Sequence, residues 1–88
     1  MDEQTRKFRD ELKAKLIEWL HLEGKRPEDI GDDDALFGSG LELDSLDAVE
    51  IVIALKREYG ISQAEVDKNR EIFRSFSALS DFVQARAV

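Results

Sequence analysis

The sequence predicts an all-α fold: a four-helix bundle with a long loop between helices 1 and 2 and a short third helix, in one domain over residues 1–88. Three observations predict it. Apolar residues recur with a period near 3.6 in separate stretches. Helix punctuation divides those stretches, with a Gly60-Ile61 stop and a Ser62-Gln63-Ala64-Glu65 capping box. No run of useful length alternates apolar and polar residues, so no strand is expected.

Residues 5–22 are the first predicted helix. Phe8, Leu12, Leu16, Trp19 and Leu20 share one stripe, charged residues fill the opposite side, and Gly24 is the expected stop. About 22 residues, Glu23 to Asp44, separate it from the next helix. Loops this long in compact domains are usually functional or disordered. Ile30, Leu36, Phe37, Leu41 and Leu43 are expected to anchor this one to the core, with Gly38 and Gly40 allowing tight turns.

Residues 45–59 are the second helix, closed by Gly60. Its apolar arc is unusually wide. Leu46, Val49 and Ile53 form one stripe, and Ala48, Ile51, Val52, Leu55 and Tyr59 form another. A helix apolar over so much of its circumference is central or uses one stripe for a partner. The capping box starts a third helix that carries Val66, Ile72 and Phe73 and ends near Arg74. Ser75 or Ser77 caps a fourth, whose inner face is Leu79, Phe82 and Val83.

Composition excludes many functions. With no Cys and a single His, His21, there is no disulfide framework, thiolate nucleophile or zinc site. No apolar run approaches the length of a membrane span, and the N-terminus lacks the apolar core of a signal peptide, so a cytoplasmic protein is expected. The net charge of −7 argues against nucleic acid as a partner. All of that charge comes from one stretch. Residues 27–50 hold nine acids (Glu28, Asp29, Asp32, Asp33, Asp34, Glu42, Asp44, Asp47 and Glu50) and no base, and the two flanking segments are each +1. Such a run is either a solvated acidic loop or a docking surface for something positive. Asp32-Asp33-Asp34 does not begin an EF-hand: counting from Asp32, the sixth position is Phe37 and the twelfth is Leu43, where Gly and Glu are required.

Asp44-Ser45-Leu46 stands at the junction of the long loop and the second helix. Helix capping alone accounts for a Ser or Asp there. The same position offers unpaired N–H groups and about half a unit of positive charge, which favour a phosphodiester on a Ser. No base accompanies Ser45, so modification by another enzyme suits it better than catalysis of its own.

Residues 36–50 read Leu-Phe-Gly-Ser-Gly-Leu-Glu-Leu-Asp-Ser-Leu-Asp-Ala-Val-Glu. This resembles the phosphopantetheine attachment region of acyl carrier proteins, and the likeness covers most of the chain. It implies that Ser45 receives 4′-phosphopantetheine from coenzyme A through a separate phosphopantetheinyl transferase using Mg²⁺. It further implies a non-catalytic, monomeric carrier of acyl thioesters for fatty-acid or polyketide-like biosynthesis. Asp44, Leu46, Asp47 and Glu50 match positions that meet basic partner enzymes such as ketosynthases and acyltransferases, and Val49 and Ile53 extend the apolar stripe beside them. Val52, Leu55, Tyr59 and Phe73 face the interior, as ordinary core or as the lining of an acyl-chain pocket. Lys56-Arg57 depart from the acidic helix end of many fatty-acid carriers, so docking is expected on the N-terminal half of the helix. The Leu-Phe-Gly-x-Gly-Leu approach is more similar to specialised bacterial carriers than to housekeeping ones. A peptidyl or aminoacyl carrier, or an unmodified acidic helical adaptor in which Ser45 is only a cap, are the alternatives.

Overall fold

Asp2 opens the first helix by accepting the Thr5 N–H at 2.7 Å, filling one of the donors that a helix start leaves free. The computed structural model describes residues 2–37 and 43–86. Its helices are α1 (Glu3–Leu20), α2 (Ser45–Tyr59), α3 (Gln63–Lys68) and α4 (Phe76–Arg86), with 3₁₀ turns at Pro27–Asp29 and Arg70–Phe73. Among the described residues there is no strand, only an isolated bridge between Phe37 and Leu43. None of the helices described is long and apolar enough to cross a membrane. The expected turns at Gly38 and Gly40 and the expected anchor Leu41 lie outside the described residues.

Two helix ends differ from expectation. α1 stops at His21 rather than at Gly24. His21 takes the left-handed conformation with φ 52°, its N–H reaches the Glu18 carbonyl, and the Leu22 N–H reaches the Ile17 carbonyl at 3.0 Å. That double closure is a Schellman motif with an imidazole in the position usually held by glycine. The third helix ends early, at Lys68. The Asn69 side chain donates to the Glu65 carbonyl at 2.9 Å, and the Asn69 N–H turns to Val66 instead. A short amide competing for a helix carbonyl breaks the α pattern, and the chain continues as the 3₁₀ turn. Gly60 ends α2 with φ 70°, as the sequence requires.

The core joins all four helices and the loop. Leu12 and Leu16 of α1, Ile51 and Leu55 of α2, Val66 of α3, and Phe76, Leu79 and Val83 of α4 are buried together. Phe8 and Trp19 pack partly buried against it. Ile30, Leu36 and Leu43 bring the loop into the same cluster, and Phe37 packs against Phe73 with ring centroids 5.9 Å apart and planes tilted by 59°. Each full burial of such a side chain contributes about 1.5–3 kcal/mol, which orders a segment that has little regular hydrogen bonding of its own.

The loop also completes the start of α4. The Asp34 carbonyl accepts the Phe76 N–H at 2.9 Å and the Asp32 carbonyl accepts the Ser77 N–H at 2.7 Å. Ser75 caps the helix through its hydroxyl, which accepts the Ala78 N–H at 3.2 Å. Loop and helix thus satisfy one another's backbone groups.

Candidate functional site

At the start of α2 the two acids do the capping. The Asp44 carboxylate accepts the N–H groups of Leu46 and Asp47, both at 3.0 Å, and the Asp47 carboxylate accepts the Asp44 N–H at 3.0 Å. This reciprocal arrangement is a capping box with Asp in both places. Ser45 is the first residue inside the helix and is exposed. Among the described residues no hydrogen bond involves its hydroxyl. The expectation that capping accounts for Ser45 is therefore corrected: Asp44 is the cap, and the serine hydroxyl is left over. The expected phosphate-favouring N–H groups are also fewer than the sequence suggested, because Asp44 occupies two of them.

Beyond Ser45, α2 presents a bare apolar stripe. Leu46 is 74% exposed, Val49 55% and Ile53 51%, the largest exposed apolar side chains among the described residues. Asp47 is half-buried and Glu50 is exposed one turn further on. Burying any one of these apolar side chains against a partner is worth up to about 1.5–3 kcal/mol, which the isolated domain does not collect.

A cleft of about 230 Å³ opens between α2 and α3. Ala48, Val52, Val66 and Phe73 are its apolar walls, Val49 and Ile53 stand at its α2 side, and Gln63, Asp67 and Arg70 are its polar lining. Of the four residues expected at an acyl pocket, Val52 and Phe73 line this cleft. Leu55 is fully buried core. Tyr59 packs on the α1 side, with its ring 6.3 Å from Phe8 and its hydroxyl accepting from Lys15 Nζ at 3.1 Å. The α3 contribution was not anticipated from the sequence. Its signal was available in the spacing of Gln63, Val66 and Asp67, which fall on one helical face; Arg70 joins them from the 3₁₀ turn that follows.

The acidic stretch separates into internal and outward-facing groups. Asp32 pairs with Lys13 at 2.9 Å and with Arg9 at 3.4 Å, and Arg9 also meets Asp81 of α4 at 3.0 Å. Lys13 lies with its stem in the core and its amine 5.3 Å from the Phe76 ring centroid. Glu28 and Asp29 face Arg26, and Asp34 accepts the Gly31 N–H at 2.7 Å. Asp33 and Glu50 have no ion-pair partner among the described residues. No described group of acids or imidazoles is arranged to hold a metal ion.

The Asp32 clamp is pH-sensitive. Its hydrogen bond from Lys13, with the Lys13 and Arg9 charges nearby, holds the Asp32 carboxyl below the usual carboxylate range. A folded-state pKa below the unfolded value gives stability that is present above the unfolded pKa and lost as pH falls through the lowered one. Asp32→Asn is therefore expected to be less stable than the parent at neutral pH, with the difference closing in acid. Urea denaturation at neutral pH and near pH 3 measures this. A constant difference across that window would show that the clamp contributes nothing through charge.

An exposed hydroxyl at a helix start, with acids on either side and no base of its own, is a group to be modified rather than one that catalyses. The site fits 4′-phosphopantetheine in two respects: Ser45 supplies a reachable oxygen, and the helix start, although Asp44 takes two of its N–H groups, carries the partial positive charge that favours an anion. The family model for the phosphopantetheine attachment site matches residues 10–83. At a comparable standard of similarity, no curated protein and no solved structure matches the chain. Members of this family are non-catalytic carriers, modified by a phosphopantetheinyl transferase and used by partner enzymes, and their cofactor is covalently attached. With the match spanning nearly the whole helical domain, the chain belongs to the phosphopantetheine attachment family of carrier proteins.

Proposed function

We propose that the protein is an acyl carrier whose 4′-phosphopantetheine is attached at Ser45, serving fatty-acid or polyketide-like biosynthesis. The observation that carries this is the Ser45 hydroxyl, exposed at the first residue of α2 and not spent on capping. In the loading step the Ser45 oxygen forms a bond to the phosphorus nearer the pantetheine of coenzyme A, the bond from that phosphorus to the nucleotide half breaks, and the serine proton leaves to the transferase. Once attached, the group supplies a terminal thiol that holds acyl chains as thioesters. The remaining chemistry of the domain is presentation. Leu46, Val49 and Ile53 dock against apolar surface, and Asp44, Asp47 and Glu50 meet basic side chains of the transferase or of ketosynthases and acyltransferases. Val52 and Phe73 line the cleft nearest the site and are the residues best placed to shelter an acyl chain. An acyl rather than aminoacyl cargo is supported by the apolar walls of that cleft and by the density of acids around Ser45.

The test is an intact-mass measurement after incubation with coenzyme A, Mg²⁺ and a promiscuous phosphopantetheinyl transferase. A gain equal to one phosphopantetheine is expected. No gain, under conditions that load a control carrier, would remove the proposal.

Glu50 is the cleanest probe of the acidic address, because Asp44 and Asp47 also cap α2 and Asp32 holds the loop. Glu50→Lys is expected to lower the transferase kcat/KM about tenfold at low salt, with the loss shrinking as salt rises, since charge steering contributes 10–10³-fold to association. Asp33→Lys, at an exposed loop position, is expected to change it much less. Equal, salt-independent losses at both positions would contradict a localised address.

A further inference from the structure

Along the exposed face of α2 the charge changes sign. At 100° per residue, Leu46, Glu50, Ile53 and Arg57 lie within a narrow arc, with Val49 and Lys56 on its flank. All six are exposed. Along the axis the apolar Leu46 and Val49 come first, the acid Glu50 next, apolar Ile53 after it, and the bases Lys56 and Arg57 last. Glu50 and Arg57 are about 10 Å apart along the axis at 1.5 Å per residue. That exceeds the Debye length of about 8 Å at physiological salt, so the two ends act as separate charges.

Internal pairing does not account for the basic end. Lys56 and Glu50 have no ion pair among the described residues, and Arg57 reaches only its exposed neighbour Glu58, at 3.3 Å. Acids at a helix start and bases at its end do complement the helix dipole. That role is internal to the domain and leaves docking untouched, which gives a way to separate it.

We infer that this face is a two-signed docking strip. It fits a partner protein that presents basic side chains opposite Glu50, apolar side chains opposite Leu46, Val49 and Ile53 on either side of them, and acidic side chains about 10 Å beyond the basic ones along the helix axis. The inference rests on the carrier reading only in making that partner an acyl-processing enzyme. The two signs set the direction of docking, because the reversed pose brings like charges together at both ends. They also reject a partner whose strip is basic throughout, since Lys56 and Arg57 would then face cations. Docking therefore uses the whole length of α2, against the sequence expectation that it is confined to the N-terminal half.

Two versions of one rigid helical scaffold test this with the full chain. Both carry the same apolar strip; one has basic residues at one end and acidic residues at the other, and the second has basic residues at both ends. By titration calorimetry the unaltered protein is expected to bind the two-signed scaffold at least about tenfold more tightly. K56E/R57E is expected to reverse that preference, with its helical content by circular dichroism retained. Should that variant fail to fold, E50K replaces it, and a third version of the scaffold, acidic at both ends, is expected to bind E50K more tightly than the two-signed one does. Equal binding of the first two scaffolds by the unaltered chain, no binding of either at millimolar concentration, or a preference that the substitutions do not move overturns the inference. Mass gain with the transferase is read on the same samples. A chain that takes the arm but shows no preference keeps the carrier reading and loses the strip. A chain that refuses the arm yet prefers the two-signed scaffold keeps the strip and loses the carrier.

Discussion

Ser45→Ala is expected to gain no mass on incubation with coenzyme A, Mg²⁺ and a phosphopantetheinyl transferase, and to melt within a few degrees of the parent. The two halves of that result have different causes. Loss of loading follows from chemistry: without the hydroxyl there is no oxygen to take the phosphorus. Retention of the fold follows from the capping geometry. Asp44 holds the Leu46 and Asp47 N–H groups at 3.0 Å and Asp47 holds the Asp44 N–H, so removing an exposed hydroxyl with no hydrogen bond among the described residues leaves the helix start intact. Exposed substitutions of this kind usually stay within about 0.5 kcal/mol. Asp44→Ala should show the opposite profile. It removes the cap at a cost of about 0.5–2 kcal/mol, and it still reaches full mass because Ser45 remains. Undiminished mass gain by Ser45→Ala would place the arm elsewhere. A collapse of its melting temperature would show that the hydroxyl is structural after all.

Phe76→Ala carries the largest expected loss of stability. The ring is fully buried at the first residue of α4. Truncating a buried Phe costs about 3–5 kcal/mol from lost burial and the cavity left behind. For 88 residues the whole stability is about 4–13 kcal/mol at 0.05–0.15 kcal/mol per residue, so this one change consumes much of it. The loss should also spread, because the Phe76 N–H holds the Asp34 carbonyl and the ring lies under the Lys13 amine that grips Asp32. A drop in melting temperature of at least about 12 °C is expected, at about 4 °C or more per kcal/mol for a domain of this size. Leu46→Ala provides the contrast. At 74% exposure it should barely change stability while weakening partner docking. A small effect at Phe76 would mean that the core closes over the gap.

Much of the fold was legible because it is written in local chemistry. The stripes of α1 and α4, the Gly60 stop and the Ser62 cap depend on neighbours within a turn or two, and the structure has them. Where local signals competed, reading failed. Gly24 looked like the better stop for α1, yet His21 took the left-handed position, and the N–H of Leu22, two residues before Gly24, closes onto the Ile17 carbonyl. The Ser62-Glu65 box is only half made. Glu65 turns from its own helix start to Arg86 of α4, a partner that lies far away in the sequence.

The site divides the same way. Sequence marked Ser45 and the acids around it, because Asp-Ser-Leu at a helix start is a local pattern. It could not assign the acids their separate uses. Asp32 meets residues on α1 and Asp44 meets its own helix, and both simply count as negative in a sum. Periodicity alone could not say which apolar stripe of α2 faces inward; the family resemblance put Val52, Leu55 and Tyr59 inside and Val49 and Ile53 outside, and the exposures of Leu55, Val49 and Ile53 agree.

What the sequence by itself determined, then, is the set of helices, the single acidic stretch and the serine at its end, all consequences of periodicity, capping and charge along the chain. Only the tertiary structure decided which of those residues are left over. Burial against α1 and α4 takes Ile51 and Leu55 and leaves Leu46, Val49 and Ile53 bare, and the clamp pairs Asp32 with Arg9 and Lys13 while Glu50 stays in water with no ion pair among the described residues. The physical reason is that exposure and pairing belong to surfaces brought together from distant parts of the chain, and the position of a residue in a sequence does not contain them.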